Sequence, residues 1–193
     1  MAKSLEEYPN CFEGPDWCWY VIPRVASSTL KDYLSKQLQV KVKFKPDDPG
    51  KPGYVVLRDP VQRLRSGIAQ FRKPTMSKIK GHGESLFVDD TTPIDTITDF
   101  VFANLPIDPH FAHQYHFYPP GTNTFKLGTL AGAQGNTGWK YFLEQEFGVD
   151  VPFMNRTAKK EPIPRDAIVK AHIEYKIDYV RHALADSTSL AYC

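Results

Sequence analysis

No glycine lies between Pro23 and Thr29, and that segment has no Gly-Lys pair. A Gly-x-x-x-x-Gly-Lys-Ser/Thr loop, the usual phosphate cradle of kinases and other phosphoryl transferases, is therefore missing where the first strand–loop–helix passage falls. Cysteine is scarce as well. Three residues, Cys11, Cys18 and Cys193, make an odd set with no Cys-x-x-Cys spacing. That suits a reducing compartment better than a disulfide framework, with a single Cys11–Cys18 bridge as the alternative. The first residues have no apolar core of a signal peptide, and no stretch approaches the roughly 20 apolar residues of a membrane span. The formal net charge of +2 is too small to announce a nucleic-acid partner. These absences predict a soluble, cytoplasmic protein with no membrane span and no nucleic-acid partner, whose anion sites come only from local clusters of Arg and Lys.

What is present fits one folded domain over 1–193. Hydrophobic residues make up 41% and aromatics 13% of 193 residues, enough for a core. Sixteen prolines and twelve glycines call for many turns. Residues 17–22 form a continuous apolar run closed by Pro23, as a buried parallel strand does, with 1–16 as an N-terminal extension. Leu30, Tyr33, Leu34 and Leu38 follow at helical spacing behind Ser27, Ser28 and Thr29. Val40, Val42 and Phe44 alternate with lysines as a half-wet strand does, and 54–57 reads as a second buried strand. Pro60 then opens a helix through Val61, Leu64 and Ile68. The polar segment 72–93 reads as a long surface loop, and helices are predicted over 94–105, 139–147 and 165–184. The fold class expected is α/β, a P-loop-like three-layer domain with a central parallel sheet flanked by helices.

Two strand-to-helix junctions carry the chemistry. The first is Pro23-Arg24-Val25-Ala26-Ser27-Ser28-Thr29. A helix N-terminus presents unpaired N–H groups and the positive end of its dipole, small residues let an anion approach, and Arg24 adds charge. An ordinary Ser/Thr cap explains the same residues more plainly. The second is Arg58-Asp59-Pro60-Val61-Gln62-Arg63-Leu64-Arg65-Ser66, in which a guanidinium leaves a strand's carboxyl end, well placed to fork onto a phosphate. A solvated arginine and an Asp59 helix cap are the competing explanations.

Together the junctions resemble the sulfotransferases that use 3′-phosphoadenosine-5′-phosphosulfate (PAPS), in the carbohydrate branch that acts on heparan and chondroitin. The first loop is similar to that family's Pro-Lys-x-Ala-Ser-Thr-Ser segment, with Arg24 at the position of the usual Lys. Val56 to Ser66 matches its Val-x-Arg-Asp-Pro-x-x-Arg-x-x-Ser pattern. Asp108 to Gln114 resembles its Pro-His-x-x-Pro-Gln segment, with Ala112 and His113 as departures. Asn155 to Lys160 resembles its late Asn-x-Thr-x-x-Lys loop, and Ile177-Asp178-Tyr179 a pattern of its C-terminal helix. The resemblance implies that Arg24, Val25, Ala26, Ser27, Ser28 and Thr29 hold the 5′-phosphosulfate. It implies likewise that Arg58 and Ser66 hold the 3′-phosphate, and that Arg156, Thr157 and Lys160 close over the nucleotide. The acceptor implied is a hydroxyl of a carbohydrate or similar molecule. No metal is required, because the chain supplies the cations.

The general base is left open by the sequence. Asp47, Asp48, His82, Glu84, His110, His113 and His116 are candidates, and His110 leads them, because histidine titrates near working pH. Histidines in so aromatic a segment are also ordinary structural residues. His110, His113 and His116 lack the partner spacing of a metal site. Two other functions compete: a P-loop-like phosphotransferase, weakened by the missing glycines, and a glycan- or polyanion-binding module. The module would use Lys41, Lys43, Lys45, Arg63, Arg65, Arg72 and Lys73 as a basic face. It leaves the pattern from Arg58 to Ser66 unexplained.

Overall fold

The apolar run 17–22 becomes the middle of a sheet. In the computed structural model, which describes residues 10–36, 38–105, 108–127, 143–145 and 162–188, strand β2 (Cys18–Tyr20) is buried along its whole length. It pairs in parallel with β4 (Gly53–Leu57), in the register Cys18↔Gly53 and Tyr20↔Val55. β7 (Asn123–Lys126) extends the parallel part on the far side of β4. The other flank is antiparallel: β1 (Cys11–Glu13) pairs with β2, and the two-residue β3 (Val42–Lys43) pairs with β1. The order is β3-β1-β2-β4-β7. The chain is thus mixed α/β, and its sheet is mixed rather than wholly parallel. The physical reason lies in the supposed extension. A tight turn, in which Gly14 N–H donates to Trp17 O at 2.9 Å, returns β1 directly onto β2, and so short a connection permits only antiparallel pairing. Cys11 and Cys18 are buried free thiols.

Helix α1 (Ser27–Lys36) buries Thr29, Leu30, Tyr33 and Leu34, and Leu30, Tyr33 and Leu34 join the sheet's core. Helix α2 (Pro60–Phe71) begins as its sequence dictates. Asp59 accepts the Gln62 N–H at 2.8 Å, and Pro60 occupies the first turn, where its missing N–H costs nothing. A second core gathers α2, α3 (Ile94–Ala103) and α4 (Arg165–Glu174) around Phe111 and Tyr175. The long C-terminal helix expected over 165–184 is two helices, α4 and α5 (Lys176–Thr188). They part at Tyr175, whose backbone leaves helical geometry (φ −95°, ψ 23°) while its buried hydroxyl donates to Phe111 O at 2.8 Å. The predicted loop 72–93 is also more ordered than its composition suggests. It holds a 3-10 turn (Pro74–Met76) and a hairpin of β5 (Lys78–Lys80) and β6 (Ser85–Phe87), pinned by the buried Ile79. Of the helix expected over 139–147, residues 143–145 are described and are helical. Among the described residues no helix is long and apolar enough to cross a membrane.

Within the second core α2 lies against Phe111. A Cβ on Gly67 would stand 2.5 Å from the Phe111 ring, so only glycine admits this approach. Gly67→Ala gains up to about 1 kcal/mol in helix propensity, against overpacking of about 1–3 kcal/mol. The expected net result is a lower thermal midpoint, by a few degrees at about 2–4 °C per kcal/mol for a chain of this size. An unchanged or raised midpoint would refute the tight packing.

Candidate functional site

Because β2 and β4 are parallel neighbours, the turns that leave them, Val21–Ala26 and Arg58–Asp59, emerge side by side. The first turn is strained. Arg24 (φ 67°) and Ala26 (φ 51°) both occupy the left-handed region that non-glycine residues rarely adopt. Surrounding contacts hold it there. Val25 is buried, the Pro23 carbonyl accepts Arg63 Nε–H at 3.1 Å, and the Arg24 carbonyl accepts Arg58 Nη1–H at 2.9 Å. With its carbonyls turned onto two guanidiniums, the turn delivers Ala26 as the first acceptor of α1, taking the Leu30 N–H at 2.9 Å. The N–H groups of Ser27 and Ser28 open the helix and have no partner within it.

The side chains converge from both junctions. Arg24 donates through Nε and Nη2 to Ser66 Oγ (3.2 and 3.0 Å) and through Nη1 to Gln70 Oε1 (3.2 Å). Arg24, Arg58 and Ser66 thus stand together, next to Ser27, Ser28 and Thr29 at the opening of α1. Gln70 belongs to the same cluster and passes it on, since its Nε2 lies 3.0 Å from Met76 Sδ in the segment before the hairpin.

Around Arg58 the described charges are predominantly positive. Burial pushes the Arg58 pKa down to about 10, and the neighbouring charges of Arg24 and Arg63 push the same way against a weaker pull from Asp59. Arg63 is lowered too, chiefly by burial. Among the described residues, no carboxylate lies within ion-pair distance of Arg58 or Arg63. Partly desolvated cations crowded together in this way favour an anion beside them.

Arg63 corrects the sequence reading most sharply. Placed on a wet basic face by the binding-module alternative, it is 3% exposed. Its guanidinium grips three carbonyls: Pro23 at 3.1 Å, Pro109 at 2.9 Å and Ala112 at 2.6 Å. The signal was its position, because Pro60, Arg63, Leu64, Gly67 and Phe71 share the buried stripe of α2. Lys43 leaves the basic face as well, held by Glu13 and Asp47.

The candidate bases separate by position. Asp47 and Asp48 sit at the opposite end of the sheet. Their N–H groups donate to Glu13 (2.7 and 3.1 Å), and the Asp48 carbonyl faces Cys18 at the amino end of β2, so neither belongs to the cluster. His82 and Glu84 are exposed in the hairpin turn, where the His82 N–H donates to Asn104 Oδ1 at 2.7 Å. His113 packs against Tyr175 with Nδ1 3.8 Å from Asp178, and burial lowers its pKa. His116, exposed beside Tyr115, is lowered by desolvation and then by His113. His110 lies between Pro109 and Ala112, two of the three residues whose carbonyls Arg63 grips, and meets Phe71, the residue after Gln70, edge to face at 5.2 Å. Its Nδ1 is 2.9 Å from Asp108 Oδ1, a contact that fixes the ring and leaves Nε2 as the nitrogen available for proton transfer. Asp108 is a partner the sequence reading did not single out. Arg156, Thr157 and Lys160 lie outside the described residues. No group of three or more metal-ligating side chains occurs among the described residues.

No family model, no curated protein and no solved structure matches this chain.

Proposed function

We propose that this chain is a sulfotransferase that moves the sulfuryl group of PAPS onto a hydroxyl of a carbohydrate or similar acceptor. One observation carries the reading. Arg24, Arg58 and Ser66, brought from two junctions to the carboxyl ends of adjacent parallel strands, form a positive cluster in which Arg58 and Arg63 have no carboxylate partner among the described residues. The resemblance of both junctions to the sulfotransferase motifs supplies the identity of the anion, and the P-loop-like three-layer reading of the fold belongs to the same proposal.

In this reading the opening of α1 and Arg24 take the 5′-phosphosulfate, Arg58 and Ser66 take the 3′-phosphate, and Arg156, Thr157 and Lys160 complete the nucleotide site. His110, oriented by Asp108, accepts the acceptor hydroxyl's proton as that oxygen bonds to sulfur. The bond from sulfur to the bridging oxygen breaks, its electron pair leaves with 3′,5′-ADP, and Arg24 stabilises the charge that develops there. A guanidinium does this without giving up a proton. The chain's own cations do the electrostatic work, so turnover without Mg²⁺ is the expectation.

The test is nucleotide preference. 3′,5′-ADP is expected to bind more tightly than 5′-AMP by roughly 10- to 150-fold, the worth of one charge-assisted contact at about 1.5–3 kcal/mol. Calorimetry returning equal affinities would remove PAPS from the proposal. Sulfate transfer from PAPS to a panel of glycans and small alcohols then identifies the acceptor.

A further inference from the structure

Arg58 is gripped from behind by a residue that the proposed chemistry does not use. The Gln114 carboxamide makes both of its hydrogen bonds to the Arg58 backbone: Oε1 accepts the Arg58 N–H at 3.0 Å, and Nε2 donates to the Arg58 carbonyl at 2.8 Å. Gln114 is 1% exposed. Its own N–H donates to both oxygens of Asp178, at 3.0 and 2.9 Å, and Tyr115 N–H is a second donor at 3.3 Å. Asp178, also 1% exposed, sits in the first turn of α5. The chain of contacts runs from α5, through the 3-10 turn Gln114–Phe117, to the backbone of Arg58 just after β4, and on through Arg58 Nη1 to the Arg24 carbonyl.

Burying a carboxylate and a carboxamide costs free energy that an apolar pair of the same size would not. Packing alone does not call for them, and both carboxamide bonds end on a single residue. A tilt of about 10–20° in the Arg58 peptide would swing its guanidinium by about 1–2 Å, the scale on which recognition by a fixed side chain fails. We propose that Gln114 and Asp178 are positioning residues. They hold the Arg58 backbone so that its guanidinium stays aimed at the 3′-phosphate, and they thereby set the nucleotide preference. This inference rests on the sulfotransferase reading above.

The experiment compares the full chain with Gln114→Met, which keeps length and bulk but has no amide, and with Asp178→Asn, which keeps an acceptor for the Gln114 N–H. Affinities for 3′,5′-ADP and 5′-AMP are measured on each, with amide hydrogen exchange at Arg58. Gln114→Met is expected to lose at least about tenfold of the preference for 3′,5′-ADP while its affinity for 5′-AMP stays within about twofold. Asp178→Asn is expected to keep most of the preference. Parallel weakening of both nucleotides, or an unchanged ratio, would mark Gln114 as structural only and overturn the inference. If the parent chain itself shows no 3′-phosphate preference, the sulfotransferase reading falls. Exchange at Arg58 then decides the positioning separately: faster exchange in Gln114→Met supports it, and an unchanged rate refutes it.

Discussion

Arg24→Ala is expected to transfer sulfate on the order of 10²–10³-fold more slowly than the parent chain, the loss typical of removing one oxyanion donor. Affinity for 3′,5′-ADP should fall much less, because the residue acts mainly on charge that develops in the transition state. Arg24→Gly is the control for backbone strain. At φ 67° glycine relaxes what alanine does not, so equal rates in the two variants would assign the loss to the guanidinium. Arg24→Lys should retain much of the activity, since its ammonium can also protonate the departing phosphate. Arg58→Ala should show the opposite balance, with nucleotide affinity collapsing first. Single-turnover rates and binding constants on the same variants provide the check. Transfer at the parental rate in Arg24→Ala would end the proposed role for this residue.

The second large effect is on stability. Arg63→Leu is expected to cost about 3–5 kcal/mol and lower the thermal midpoint by roughly 10–15 °C. Two effects oppose each other. Removing the guanidinium relieves the desolvation of a fully buried charge, but it leaves the carbonyls of Pro23, Pro109 and Ala112 without their donor. Each abandoned carbonyl costs about 1–3 kcal/mol, and three of them outweigh the relief. Arg63→Lys should lose nearly as much, because one ammonium cannot span the fork. A midpoint within about 2 °C of the parent chain would mean that the carbonyls find other donors.

Much of the frame was legible because local signals agreed with burial. The run from Trp17 to Ile22 is apolar on both faces and became the sheet's centre; Asp59 and Pro60 start α2 as cap and first turn. What escaped depends on contacts distant in sequence. β1 reads as part of an extension because three residues carry no period, and only pairing with β2 defines them as a strand. The hairpin within 72–93 was hidden by its lysines, which decorate a ladder held by Ile79. At the site, Arg24, Arg58 and Ser66 could be named from their motifs. Arg63 reads by its charge as part of the binding module's basic face, and only its place in the helical stripe marks it as buried. Gln114 and Asp178 were visible as letters of a pattern, yet their role exists only through each other and Arg58. The break between α4 and α5 likewise coincides with a distant contact, the Tyr175 hydroxyl on Phe111 O, and no local rule announces it.

The Arg63 clamp has a consequence for how the chain unfolds. Its three carbonyls lie 40, 46 and 49 residues away, and the Asp178 contact spans 64. Loops of this length close only after nearer elements have formed, so the segment from β2 to α2 can assemble before Pro109, Ala112 and Gln114 arrive to fix Arg63 and the Arg58 backbone. An anion that needs the finished cluster has little to grip at the folding barrier. Such a ligand therefore leaves the rate of refolding nearly unchanged and prolongs the lifetime of the native chain, acting as a brake on the way out of the folded state.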